Sequence, residues 1–383
     1  MIKVLILGQG MVANHFAVGL ERIKSGELEP YGVPLANYSL KYSINDIEIV
    51  ASYDVDLSKI GKSIYEIASK YLDNIPIPNT LRDIIVRKGV HLGSLRGLPI
   101  EVAALDNDNM SLNDIKEYLI DEWEEVKPDV IVNIINTEHC RPFKSLEELN
   151  EAVESNKMDR FSASQFYAYT ACEYAKRNNN IAFINVIPTP LANDDVFIKL
   201  FESANSVVFG DDGATGATPL TADLLAHLHS RNRRIKSIVQ FNIGGNLDFL
   251  SLTIPERNIM KETTKSSIVQ DILGYDVPCF IKPTGYLEPL GDKKFVSMHI
   301  EYINFNGLTD EMFINYRIND SPSLAGLLVD LVRLGKIALE RGLVGTVYEI
   351  NAFYMKKPGP PNAKSIPKII AFENLLKFLG LKS

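Results

Sequence analysis

Near the start of the chain, Gly8-Gln9-Gly10-Met11-Val12-Ala13 has the spacing of a phosphate-cradling turn. In such a GxGxxA segment the first glycine permits a tight turn and the second lets a diphosphate approach the backbone. The small third residue lets a helix pack closely on a strand. The diphosphate then rests on free N–H groups at the helix N-terminus. The spacing alone is weak, but here an apolar run, IKVLIL (2–7), precedes it and a helical stretch follows. Gly8, Gly10, Met11 and Val12 are therefore candidates for holding a dinucleotide. A second apolar run, IEIVASYDVD, ends in Asp54 and Asp56. An acid there can hold the adenosine ribose hydroxyls and repel the extra phosphate of NADP, and Asp54 is the candidate. Two ordinary solvated acids at a strand end are the plain alternative.

Lys261 and Lys265 lie four apart in a stretch that can be helical, which puts two amines on one face. Burial beside other cations lowers an amine pKa towards neutrality and suits it to proton transfer. On spacing alone, a solvated surface explains the pair better. His227 and His229, two apart on a helix, point to different faces and make a poor metal pair. His139-Cys140 has no evident partner for a thiolate. Ser162, Ser164 and Tyr167 open a helix, where the serines serve as caps and have a secondary claim to touch a cofactor.

The elements that would position these residues follow from periodicity. Short apolar runs recur before polar ends: VKPDVIVNIINTEH ends in Asn136 and Thr137, and IAFINVIPTP ends in Asn185. These patterns fit parallel strands buried on both faces, with their carboxyl ends facing a cofactor crevice. From about residue 206 the texture changes to a strand, a glycine-rich loop and a helix. Closely spaced strands follow, IKSIVQFNIGG, PCFIKPTGYLEPL and KKFVSMHIEYINF, which suggest an antiparallel or mixed sheet. The chain then returns to helix at SPSLAGLLVDLVRLG. The expected architecture is an α/β fold, a Rossmann-type doubly wound parallel sheet with an inserted α+β catalytic and oligomerisation domain. The boundaries are 1–218 for the dinucleotide-binding domain, 219–322 for the insertion, and 323–383 for the return.

Length and composition agree: 383 residues, 46% hydrophobic and 23% charged, suit two globular domains. A net charge of −8 argues against a nucleic-acid binder. No apolar run is long enough to span a bilayer, so no membrane partner is expected. Three scattered cysteines and a start with no signal-peptide anatomy point to the cytoplasm.

Four segments in the second half, GDDGATG (210–216), NIGGNLD (242–248), KETTKS (261–266) and GDKK (291–294), resemble signature segments of the myo-inositol-1-phosphate synthase family. A fifth, MKKPGPP (355–361), resembles the family's lysine–proline segment near the C-terminus. The resemblance follows the family's order along nearly the whole chain and points to its compact prokaryotic-type branch. There are departures. GQGMVA is less rich in Gly and Asn than the family's usual first turn, and Asn246-Leu247-Asp248-Phe249 stands where the family has N-N-D-G.

The resemblance implies conversion of D-glucose 6-phosphate to 1L-myo-inositol 1-phosphate, with NAD taking a hydride from C5 and later returning it. Between those events C6 is deprotonated and attacks the C1 aldehyde. It further implies a lysine cluster of Lys261, Lys265, Lys294 and Lys356, with Asp320 orienting a lysine or relaying a proton. Thr215, Asn246, Asp248 and Asp292 would face the substrate, and Asp211 and Asp212 the cofactor, with Asp212 at the nicotinamide. Lys293 and Lys357 would face solvent. A homotetramer is implied, while use of a divalent metal or ammonium ion is left open. Two other readings stand beside this one: a two-domain NAD-dependent dehydrogenase with net NADH release, and a non-catalytic NAD-binding regulator.

Overall fold

The chain is described by a computed structural model that covers residues 1–255, 257 and 268–382. Six short strands form the first sheet: β1 (Ile2–Leu7), β2 (Ile47–Asp54), β3 (Val86–Lys88), β4 (Val130–Asn133), β5 (Ala182–Asn185) and β6 (Val207–Phe209). Every pairing is parallel, in the order β3-β2-β1-β4-β5-β6. The runs are apolar throughout because both faces are covered. Ile2, Val4 and Ile6 enter the core on one side, and Leu5 and Leu7 enter the core on the other.

Helices α1 (Met11–Lys24) and α2 (Ile64–Tyr71) cover the first side. Helices α3 (Leu112–Val126), α4 (Leu146–Glu154), α5 (Ala163–Arg177) and α6 (Asp195–Ser203) cover the second. The strand order reverses between β1 and β4, so their carboxyl ends open a crevice, the usual ligand position in doubly wound sheets.

Helix α7 (Thr218–His229) leads into a four-stranded sheet of β7 (Arg234–Gly244), β8 (Cys279–Tyr286), β9 (Lys293–Ile303) and β10 (Thr309–Asn319). Its order is β10-β9-β7-β8; the β7–β8 pair is parallel and the others antiparallel, so the sheet is mixed. β10, which the sequence reading did not foresee, pairs with β9 along its full length through a turn at Asn306 and Gly307. Ala222, Leu225 and Leu228 of α7 pack on Ile238, Met298 and Ile300, covering one face. A short helix, α8 (Leu247–Ser251), follows β7. The chain returns to the first sheet through α9 (Asp320–Glu340), α10 (Tyr348–Tyr354) and α11 (Lys368–Leu379). Gly335 lets α9 approach closely, since a Cβ there would lie 2.9 Å from that of Ala182. No described helix is long and apolar enough to cross a membrane.

Candidate active site

The glycine turn is built as its spacing requires. Gly8 has φ +95°, and a Cβ there would stand 2.8 Å from the Ile134 carbonyl oxygen at the end of β4. Gly10 caps α1 without a side chain, and a Cβ on it would meet nothing within 4 Å. The open volume at Gly10 and the unpaired first-turn N–H groups of α1 fit a diphosphate. Gln9 anchors the turn: its side chain donates to Asn14 Oδ1 at 2.7 Å and accepts from Ser52 Oγ at 2.7 Å. Its backbone N–H donates to Asp54 Oδ2 at 2.8 Å. Asp54 also accepts from the Val55 and Asp56 N–H groups and from Lys59 Nζ at 3.0 Å.

A cavity of about 520 Å3 begins at these groups. Its lining includes Asp54, Asp56, Lys59 and Tyr71 after β2, then Gly8, Gly10, Met11 and Val12, then Asn136 and Thr137 after β4. It extends to Asp212, Thr215, Asn246, Asp248, Asp292, Lys294, Asp320 and Lys356. Residues from both sheets thus share one space.

Backbone pairing sets the lysine end. The 210–216 loop runs against the segment after α10: Ala214 N donates to Tyr354 O at 2.8 Å and Lys356 N donates to Asp212 O at 2.6 Å. This brings Lys356 Nζ to 2.9 Å from Asp212 Oδ1, with both side chains almost fully buried. Asp212 takes a left-handed conformation, φ 61°, uncommon for a residue with a side chain. Lys294, on β9, lies 3.5 Å from Asp320 Oδ2 and 5.1 Å from the Phe249 ring centroid. Asp320 accepts from Thr215 Oγ1 at 3.4 Å.

Asp292 holds the start of α9, accepting from Ser321 N at 2.9 Å and Ser321 Oγ at 2.6 Å, and it also accepts from Asn246 Nδ2 at 3.1 Å. Thr137 Oγ1 donates to Asp248 Oδ1 at 2.8 Å, joining the two halves of the cavity.

Some candidates fall elsewhere. Lys261 and Lys265 lie outside the described residues. Asp211, expected at the cofactor, is not in the cavity lining; its carboxylate accepts from Asn185 Nδ2, Asn193 Nδ2 and the N–H groups of Leu191 and Asn193. Burial pushes that carboxyl up to about 6, against the pull of these hydrogen bonds. Its neighbour Asp212 reaches the cavity instead, because the left-handed turn separates the two side chains. Ser162 caps α5, and Ser164 Oγ accepts from Asn133 Nδ2. Tyr167 does line the cavity, and its hydroxyl accepts from Val90 N at 2.6 Å. Burial pushes the Cys140 thiol up to about 12, which leaves it unsuited as a nucleophile. Among the described residues, no three His, Cys, Asp or Glu side chains are grouped to hold a metal.

The sequence reading missed two lysines. Lys59 lies beside Asp54, and a cation five residues after that acid was the available signal. Lys368 is fully buried and donates to the carbonyls of Ala352 and Met355, at 2.5 and 2.7 Å. No local pattern marks it.

A model of the myo-inositol-1-phosphate synthase family matches residues 216–321. Inositol-3-phosphate synthase from Corynebacterium glutamicum is 28% identical over 99% of this chain and 98% of its own length. The solved inositol-3-phosphate synthase of Caenorhabditis elegans, 17% identical, shares the fold with a TM-score of 0.79, covering 99% of this chain and 85% of that one. A solved myo-inositol-1-phosphate synthase-related protein from Thermotoga maritima is 58% identical with a TM-score of 0.95, covering 100% of this chain and 99% of that one. Identity at that level along the whole length, with the crevice at β1 and β4 and the lysine–aspartate pairs facing it, means that the chain belongs to the myo-inositol-1-phosphate synthase family.

Proposed function

We propose that this chain converts D-glucose 6-phosphate to 1L-myo-inositol 1-phosphate, keeping NAD in the cavity throughout. One observation carries the reading: Lys294, Lys356 and the carboxylates of Asp212, Asp248, Asp292 and Asp320 line the same cavity as the glycine turn. A plain dehydrogenase has no need of so many charged groups around one substrate.

Gly8, Gly10, Met11 and Val12 would hold the diphosphate, Asp54 the adenosine ribose, and Asn136, Thr137 and Asp212 the nicotinamide half. When bound, NAD supplies a reversible hydride acceptor at C5 of the sugar. The chain's own residues do the rest. An amine takes the C5 hydroxyl proton, and the resulting ketone acidifies the protons on C6. A base removes one of these protons, and the enolate attacks the C1 aldehyde and closes the ring. The C1 alkoxide takes a proton, and return of the hydride to C5 reduces the ketone to the alcohol. Lys294 and Lys356, with Lys261 and Lys265, would hold the phosphate dianion and stabilise the enolate and alkoxide oxygens. In a closed site, losing one such donor costs ~3–4 kcal/mol of barrier. Asp320 would orient Lys294 and pass its proton, while Thr215, Asn246, Asp248 and Asp292 face the sugar.

We assign residues 1–218 and 323–383 to the dinucleotide-binding domain and 219–322 to the catalytic and oligomerisation insertion, in a cytoplasmic homotetramer. The test is incubation with glucose 6-phosphate and a trace of NAD, followed by phosphorus and carbon NMR. Inositol 1-phosphate should accumulate without net NADH absorbance. NADH rising in step with substrate loss would identify a dehydrogenase instead.

A further inference from the structure

Lys59 lines the cavity yet has no part in the chemistry proposed above. It sits in the turn between β2 and α2, 7% exposed, with Nζ 3.0 Å from Asp54 Oδ2 and 3.5 Å from Asp56 Oδ2. The amine also lies 5.8 Å from the Tyr71 ring centroid. Burial works against its charge, but Asp54, Tyr71 and Asp56 outweigh burial and hold the amine above its ordinary range.

The acceptor capacity of Asp54 decides what this lysine does. An ionised carboxylate offers about four lone-pair positions. Oδ1 accepts from the N–H groups of Val55 and Asp56, and Oδ2 accepts from Gln9 N–H and Lys59. All four positions are taken. Three donors are backbone groups, fixed by the end of β2 and by the glycine turn. Lys59 is the one donor on a flexible side chain. A ribose hydroxyl can therefore reach Asp54 in the usual way only where Lys59 now sits.

Lys59 also changes the electrostatics. Asp54 and Asp56 alone would repel a ribose 2′-phosphate, which is how an acid at this position excludes NADP. With Lys59 between them, part of that repulsion is cancelled, and the ammonium can itself donate to a phosphate.

We infer that Lys59 sets the cofactor choice of this enzyme: it competes with the ribose hydroxyls for Asp54 and offers a donor to a 2′-phosphate, narrowing the preference for NAD over NADP. The inference rests on the dinucleotide reading of the cavity and concerns only its adenosine end.

Calorimetric titration of wild type, Lys59→Met and Lys59→Arg with NAD and NADP tests it, with circular dichroism to check folding. Lys59→Met should raise the ratio of the NADP Kd to the NAD Kd by about tenfold or more, the scale of one charge-assisted hydrogen bond. NAD should bind more tightly and NADP more weakly, while Lys59→Arg stays near the wild-type ratio. Equal weakening of both cofactors in Lys59→Met would mean a tether alone and overturn the inference. A second measurement needs no variant. Wild type should bind adenosine 2′,5′-bisphosphate within about tenfold of 5′-AMP, because one charged contact offsets the repulsion. A bisphosphate bound more than about a hundredfold more weakly, a gap of two such contacts, overturns it. If wild type binds no adenine nucleotide at all, the dinucleotide reading itself fails, an outcome distinct from an unmoved ratio.

Discussion

Gly8 and Gly10 stand two residues apart and answer to different constraints. Gly8 needs a positive φ and room against the Ile134 carbonyl, so Gly8→Ala should lower stability by about 1–3 kcal/mol in the apo protein. Gly10 has an ordinary φ of −88° and open space around it. Gly10→Val should cost the apo protein no more than a poorer N-cap, about 1 kcal/mol, yet abolish NAD binding by filling the diphosphate volume. Denaturant melts with cofactor titration separate the two; a folded Gly10→Val that keeps its NAD affinity would remove the phosphate-cradle reading. The lysines extend the contrast. Ala at Lys294, Lys356, Lys261 or Lys265 should cut inositol phosphate formation by about 10²-fold or more, leaving NAD affinity nearly unchanged. Ala at the exposed Lys293, or at Lys357, should cost far less. Lys356→Ala should also melt earlier than Lys294→Ala, because its 2.9 Å contact with Asp212 is the more deeply buried.

At the scale of elements, α10 and α11 determine where Lys356 stands. Lys368, at the start of α11, donates to the carbonyls of Ala352 in α10 and of Met355, the residue before Lys356. Burial pushes the Lys368 amine down to about 7; Asp223 pulls the other way and Lys356 adds to the lowering. The folded pKa then lies below the ordinary 10.5, so between these values the unfolded chain binds more protons than the folded one. Stability from this group should therefore rise as pH increases through that window. Relative to Lys368→Met, wild type should gain stability from pH 7 towards pH 10; urea melts across that range giving parallel curves would refute it. Asp330 makes a comparable tie on α9, accepting from Leu35 N and from Tyr354 Oη, both at 2.8 Å. The long segment before β2 is thereby fastened to α9 and α10.

For the whole molecule, the second sheet has one covered face and one open face. Ile238, Met298, Ile300 and Ile314 point to the α7 side, while Phe241, Phe280, His299 and Phe313 lie on the other. Phe313 is 68% exposed and stacked on His299, with Phe241 and Phe280 44% and 40% exposed. An aromatic cluster of this kind on an open sheet face suits burial between subunits. The double variant Phe241→Asp/Phe313→Asp should shift the particle from the proposed tetramer to smaller species in light scattering, with its circular dichroism retained. A wild-type monomer, or a variant that stays tetrameric, would contradict this assignment of the surface.

Local patterns were enough to read β1, the GQGMVA turn and α1 from the chain, because neighbouring residues decide a strand buried on both faces and a turn of that spacing. The alternation of apolar runs with helices likewise made the doubly wound sheet legible. β10 escaped notice although Met312, Ile314, Tyr316 and Ile318 alternate with Glu311, Asn315 and Arg317, because the outward Phe313 makes residues 312–314 read as one continuous apolar run. The side on which a residue points was less accessible still. Asp211 and Asp212 are adjacent and chemically identical, and only the left-handed backbone at Asp212 sends one into packing and the other to Lys356. Lys294 and Lys356 could be suspected only by resemblance, since their meeting at one cavity depends on β9 and on the segment after α10 folding against the first sheet. Lys59 is a different case, since its partners Asp54 and Asp56 stand five and three residues before it and the signal was local. A lysine's charge is written in the sequence, but its burial is set by packing, which brings the glycine turn, β2 and α2 around Lys59.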